Sequence, residues 1–302
     1  MNTKYLALSS ACAILLSACG GGGGGGPATT SVAIMANATP STVPMNCAQD
    51  YSLLQANNFY ANPNSWNKGS ITNFTNCVGV AYNGTNIVGD IKYDWPYAPI
   101  SYANGAPIKA YPAIVYGNKP GLTPANDKLP KQITAINSLP ITWDITSTRS
   151  NVSSGALFFD VWLTTTANAS GLSPSQGTTV EMGITLDVWG DLNNTCAYNR
   201  QLCGVPIVNI DGEQYYFIAG NDGGAYNNQY VGSNSQYRVN FARVNYTGTS
   251  TSGTINLKSF LNYVVNNNLI PGNLYVSSIE LGAELAYGSG EIQINRYNIN
   301  IN

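Results

Sequence analysis

From residue 45 to Asn302 the chain is a succession of short runs rich in Val, Ile, Tyr and Thr, cut by Asn-Gly, Gly-Asn, Pro-Gly and Asn-Asp pairs. This spacing favours strands over helices, because β-branched and aromatic residues pack well on a pleated surface and the turn pairs keep reversing the chain. One segment departs from it. Across residues 256–267, Leu257, Phe260, Leu261 and Val264 recur at helical spacing, followed by Asn-rich residues and Pro271-Gly272 as a stop. A hydrophobic fraction of 44% supports one large core or two small ones, and since no repeat and no second linker divides residues 45–302 a single domain is expected. The fold expected from the residues is all-β, a single sandwich of two large antiparallel sheets with one short α-helix.

The N-terminus begins Met1-Asn2-Thr3-Lys4 and continues as an apolar run through Ala18. That is the positive start and short apolar centre of an export signal, too short to span a bilayer comfortably. Leu16-Ser17-Ala18-Cys19 resembles the bacterial lipobox, which implies a lipoprotein signal peptide over 1–18 and acylation of Cys19. Simple secretion is the alternative. Seven glycines, Gly20 to Gly26, and an Ala/Thr/Ser/Pro stretch to Pro44 are expected to form a disordered tether over 19–44. A flexible coil of that length holds a domain on the order of 30 Å from its anchor. The expected location is the cell envelope or surface, as an outer-membrane lipoprotein of a bacterium, or the secreted fraction. Membrane contact is expected through the N-terminal lipid only.

Cys12 leaves with the signal and Cys19 takes the lipid, so Cys47, Cys77, Cys196 and Cys203 remain in an oxidising context. Cys196 and Cys203 bracket a polar loop and are most simply paired with each other, leaving Cys47 for Cys77. A metal site is the rival reading, but the spacing matches no zinc pattern, so no metal and no cofactor is expected.

Charge then narrows the partner. Thirteen Lys+Arg stand against 15 Asp+Glu in 302 residues, a net charge of -2, and charged residues make up 9% of the chain. No basic surface can neutralise a row of phosphates, which excludes a nucleic-acid partner and points to a neutral ligand. A monomer is expected. The chain has no histidine, which removes Ser-His-Asp and Cys-His nucleophile systems and histidine-based zinc sites together. Carboxylates must carry any acid-base chemistry.

There are five glutamates, and three of them, Glu181, Glu280 and Glu284, sit on strands whose alternate positions are apolar. Over 180–189, Val180, Met182, Ile184, Leu186 and Val188 form one face, and Glu181, Gly183, Thr185, Asp187 and Trp189 the other. Leu281, Ala283 and Leu285 likewise oppose Glu280, Gly282 and Glu284. In the last strand the apolar phase changes between Ile294 and Tyr297, which predicts a bulge near Asn295-Arg296. Two carboxylates across a cleft can cleave a glycosidic bond, one as nucleophile and the other as general acid and then base. Tryptophans and the 20 tyrosines offer flat apolar surface to sugar rings. For Trp143 and Trp162 the first reading is core packing.

A resemblance sharpens this reading. Residues 255–299, INLKSFLNYVVNNNLIPGNLYVSSIELGAELAYGSGEIQINRYNI, resemble the end of glycoside hydrolase family 12, with its helix, its strand bearing G-x-E and its closing strand. In order along the chain, Cys47 to Cys77 resembles the family's N-terminal cysteine pair around N-x-W, here Asn64-Ser65-Trp66. IKAYPAIVYG, Ile108 to Gly117, resembles its K-[SA]-Y-P segment, and FFDVWLTT and VEMGITLDVWG follow. Together these cover most of residues 45–302, which becomes a catalytic domain, a β-jelly-roll sandwich with a concave substrate cleft.

The resemblance implies a retaining endo-β-1,4-glucanase acting on cellulose, mixed-linkage glucan or xyloglucan. Glu181 is then the nucleophile, Glu284 the general acid/base, and Asp160 the neighbouring acid that hydrogen-bonds the nucleophile. Substrate contacts fall to Asn64, Trp66, Trp95, Tyr97, Tyr111, Trp189 and Glu280, with Glu280 either binding a hydroxyl or facing solvent. Retention requires the two carboxyls to lie roughly 5–5.5 Å apart. The chain departs from the family where E-x-M-I-W is usual, with Gly183 and Thr185 at the Met and Trp positions, and W-x-W-S-G is reduced to Asp94-Trp95-Pro96-Tyr97. Those departures favour the rival reading of a non-catalytic or weakly catalytic glycan-binding lipoprotein; a xylanase of family 11, which shares the jelly-roll plan, and a purely structural surface protein are the other readings.

Overall fold

The computed structural model describes residues 29–47, 52–98, 107–119, 122, 128–167, 178–221, 237–245 and 248–302. The expected signal peptide, Cys19 and the glycine run lie outside the described residues. In chain order the strands are β1 (Thr29–Val32), β2 (Met45–Asn46), β3 (Leu53–Ala56), β4 (Phe59–Asn62), β5 (Thr75–Tyr82), β6 (Ile87–Trp95), β7 (Ala113–Gly117) and β8 (Lys131–Gln132). They continue as β9 (Pro140–Arg149), β10 (Ser154–Thr164), β11 (Thr178–Trp189), β12 (Ile207–Ile210), β13 (Glu213–Asn221), β14 (Tyr237–Arg243), β15 (Ser250–Asn256) and β16 (Tyr275–Ile299). Among the described residues there is one α-helix, α1 (Leu257–Asn266).

The result is the expected jelly-roll sandwich. One sheet runs β1-β3-β4-β7-β16-β10-β11-β14-β13-β12, with β8 also on β16. The second is built from β15, β9, β16, β6, β5 and β2. Pairing is antiparallel except for β1 with β3 and β11 with β14, which are parallel. The 25-residue β16 belongs to both layers: Tyr275–Tyr287 pairs with β10, and Gly288–Tyr297 pairs with β6. At the crossing Gly288 has φ +84°, and a Cβ there would meet Ser153 Cα at 2.4 Å, so no residue with a side chain fits the transfer.

Most of the core lies between the layers, where alternate residues of β10, β11 and β16 meet Ile91, Trp143, Ile145, Ile292 and Tyr297 of the second sheet. A smaller apolar cluster, with Ala156, Phe158, Val188, Tyr111 and Tyr287, covers the opposite face of the first sheet. The helix forms where its spacing predicted. The Asn256 side chain caps it by accepting from Lys258 N–H, and also accepts from Leu139 N–H at 2.9 Å. Leu257, Phe260, Leu261 and Val264 are its buried face, with the Phe260 ring edge-on to Tyr215 and Phe241.

The expected bulge is present, with a register break between Ile294 and Arg296 that brings Tyr297 into the core. Both disulfides, Cys47–Cys77 and Cys196–Cys203, pair as expected. The tether needs correction. Its second half is ordered: β1 adds to β3, a 3-10 turn forms at Pro40–Thr42, and Ala38 and Val43 pack on Ala81 and Val88. Even a Thr/Ser-rich stretch orders when a sheet edge and an apolar patch are available to it.

Candidate active site

The site is built on three adjacent strands, β16, β10 and β11. Because side chains alternate, the residues of β10 that oppose the core, Phe158, Asp160 and Trp162, share one face with Glu280 and Glu284 of β16 and Glu181 of β11. Asp160 is in register with Glu280 on one side and Gly183 on the other. Glu181 lies opposite Trp162 on β10 and beside Arg238 on β14. Glu284 lies opposite Ala156.

Two cations divide this acidic face. Lys119 Nζ is 2.8 Å from Glu280 and stands 5.3 Å over the Trp162 ring, while Arg238 is 3.2 Å from Glu181. Burial raises the Glu280 carboxyl, opposed by the charge of Lys119 and by hydrogen bonds from Lys119 and Ser278. For Lys119, burial favours the neutral amine, but the charges of Glu280, Asp160 and Glu181 outweigh it and raise its pKa. Asp160, 3% exposed, is raised well above the carboxylate range by burial and then by the charges of Glu181 and Glu280. Glu284 is pushed up to about 7, first by burial and further by the Glu181 charge, against the hydrogen bond donated by Tyr198 Oη to its Oε2 at 2.5 Å.

Three polar atoms on this face, Asp160 Oδ1, Trp162 Nε1 and Asn240 Oδ1, are buried without a hydrogen-bond partner among the described residues. Unmet donors and acceptors of this kind carry a free-energy penalty that a hydroxyl-bearing ligand would relieve.

Several expected sugar contacts sit elsewhere. Trp95 is 1% exposed and stacks on Phe74, its centroid 4.1 Å away, inside the main core. Trp189 is also buried: a register shift pairs Leu157 with Asp187 but Phe158 with Thr185, reversing the phase of β11. Beyond that shift Asp187 pairs with Arg149 of the second sheet, and the same guanidinium covers the Trp189 ring at 3.9 Å. Tyr111 supports the floor, stacked with Phe158 and directing its hydroxyl to the Phe158 and Glu280 carbonyls. Glu280 neither faces solvent nor is open to a hydroxyl on every side, since it is buried and tied to Lys119.

Other residues keep an accessible position. Trp66 is half-buried against the apolar cluster of this face, and Tyr97, 66% exposed, meets Tyr287 edge-on at 4.8 Å. Asn64 acts through its backbone, in a left-handed conformation (φ +43°), with its carbonyl accepting from Tyr111 N–H. Of the two tryptophans first read as core, Trp143 is core and Trp162 is on the acidic face. The space above Gly183 is filled from β14, because a Cβ there would come within 2.7 Å of Asn240 Nδ2. Lys119, Tyr198, Arg238 and Asn240 were not singled out from sequence, since the first two reach the site from loops and the last two from β14, and nothing local marks any of them as facing the acids.

No protein-family model matches the chain. Among curated proteins, Endoglucanase S of Pectobacterium parmentieri is 26% identical over 285 residues, covering 91% of this chain and 94% of that protein. Inactive glycoside hydrolase XLP1 of Phytophthora nicotianae is 22% identical over 261 residues, covering 85% and 91%. Among solved structures, a family 12 xyloglucanase from Bacillus licheniformis superposes with a TM-score of 0.64 at 20% identity, covering 86% of this chain and all of that one. Endoglucanase 3 from Trichoderma harzianum, of the same family, gives 0.63 at 20% identity, covering 87% and 99%. The fold of the chain is that of glycoside hydrolase family 12.

Proposed function

We propose that this chain, which has the family 12 glycoside hydrolase fold, is a retaining endo-β-1,4-glucanase acting on cellulose, mixed-linkage glucan or xyloglucan. The observation that carries the reading is the pair formed by Glu284, whose carboxyl is half protonated near neutral pH, and Glu181, which is ion-paired with Arg238 on the same face. In the first step the Glu181 carboxylate attacks the anomeric carbon as the glycosidic bond breaks, and the Glu284 proton passes to the leaving oxygen. In the second, Glu284 takes a proton from water, the water oxygen attacks the same carbon, and the Glu181 ester is released as carboxylate. The unmet polar atoms at Asp160, Trp162 and Asn240 support a hydroxyl-rich ligand.

The test is reducing-sugar release from soluble cellulose derivatives, mixed-linkage glucan, xyloglucan and xylan. Glu284→Gln should lose on the order of 10²–10⁴-fold in rate, and Glu181→Gln should fall to background, with circular dichroism unchanged. Full activity in either variant defeats the assignment. Release from xylan alone moves the chain to the xylanase reading.

A second reading draws on the same ion pair. Arg238 at 3.2 Å neutralises part of the charge Glu181 would need as a nucleophile, and the named inactive relative shows that such likeness can accompany lost activity. Calorimetric binding of cello-oligosaccharides without hydrolysis would establish a glycan-binding protein. The location belongs to the proposal too: an exported protein held by acylated Cys19, checked by labelled palmitate incorporation that disappears in Cys19→Ser.

A further inference from the structure

Between β11 and β12 the chain makes two 3-10 turns, Gly190–Asn194 and Arg200–Cys203, and closes on itself through the Cys196–Cys203 disulfide. The loop is tied internally: Thr195 Oγ1 donates to the Leu192 carbonyl at 2.8 Å, Asn199 Nδ2 to the Asn193 carbonyl at 3.0 Å, and Arg200 to the Cys196 carbonyl at 3.1 Å. It is also fixed to the sheet, because Leu192 is fully buried in the apolar cluster and its N–H donates to Ser154 Oγ of β10. From this base the Tyr198 ring packs against the same cluster, and its hydroxyl reaches Glu284 Oε2 at 2.5 Å.

We propose that Tyr198 is a positioning residue for Glu284, held on that carboxylate by the disulfide-closed loop. The inference rests on the assignment of Glu284 as general acid/base. The hydroxyl can donate fully only to the ionised carboxylate, so it favours that form and fixes one rotamer. Burial alone would leave Glu284 protonated to higher pH, and the Glu181 charge adds to it; Tyr198 opposes it, and the charges of Arg238 and then Arg200 act in the same direction as Tyr198. The carboxyl is thereby kept able to give its proton in the first step and to act as a base in the second. The ligature explains why the loop carries a disulfide across only seven residues: a free loop would lose Tyr198 to solvent.

The five glutamates make a direct test practical. In the full chain labelled with carboxyl-¹³C glutamate, the Glu284 signal is assigned by its loss in Glu284→Gln and titrated by NMR. In Tyr198→Phe its midpoint should rise by about one pH unit, the shift expected for losing a charge-assisted hydrogen bond. The alkaline limb of kcat/KM should move with it while KM changes little. The Cys196→Ser/Cys203→Ser pair should move the same signal in the same direction by a smaller amount. An unchanged midpoint in Tyr198→Phe overturns the proposal, and an unchanged midpoint in the cysteine pair overturns the role given to the loop. If the parent chain hydrolyses none of the glucans, the assignment of function fails, while the titration still decides whether Tyr198 governs Glu284.

Discussion

Lys119 is the residue on which the acidic face depends most. Its ammonium meets Glu280, which is 1% exposed and lies in register with Asp160. Lys119→Met leaves that carboxylate buried without its cation, a change that typically destabilises by about 3–5 kcal/mol. Urea denaturation at pH 7 should show that loss, and Lys119→Met/Glu280→Gln should recover most of it. The deficit should shrink at pH 4, where Glu280 takes a proton instead. Full stability of the single variant would show that Lys119 is dispensable. At this scale the carboxylates were legible from sequence, since a charge in an apolar alternation is conspicuous when the chain has so few. Their cations were not, because Lys119 and Arg238 sit on other segments and nothing local marks them as partners.

Among the elements, α1 was readable to within a residue because periodicity, cap and stop agree along one continuous stretch. Asn256 does two things there, capping Lys258 N–H and satisfying Leu139 N–H. Asn256→Ala should therefore destabilise by about 1–2 kcal/mol, more than an exposed cap, measured as a fall in the denaturation midpoint with an unchanged slope. A loss within error would mean that water replaces both bonds. The two bulges contrast instructively. The one at Asn295 shows in the sequence as a change of apolar phase, but the one in β11 does not, because Asp187 and Trp189 continue the alternation while the backbone slips beneath them. That slip puts Trp189 under Arg149 rather than under a sugar.

For the whole molecule, the buried carboxyls act together on stability. Asp90, buried between Lys92 and Glu291, is pushed up to about 7 by burial and by Glu291, Glu284 also reaches about 7, and Asp160 and Asp187 are raised. Asp90 and Glu284 keep up to about pH 7 a proton that the unfolded chain has released above about pH 4, and burial biases Asp160 and Asp187 in the same direction, so stability falls as pH climbs from there through 7. Glu291 is lowered and offsets part of this within its own pair. Unfolding free energy should be lower at pH 8 than at pH 5 by on the order of a few kcal/mol, and Asp90→Asn should flatten the slope. A stability that rises over that interval would contradict the burial of these groups.

The kind of fold, the helix, the Cys196–Cys203 pairing and the strands that carry the acids are determined by sequence alone, because each depends on residues close together or on a period repeated within one segment. Tertiary structure decided which faces those acids share, which aromatic rings stay accessible and which cations answer them. These depend on register across strands far apart in the chain: a shift of one residue exchanges core for surface, and a 25-residue strand serves two sheets at once.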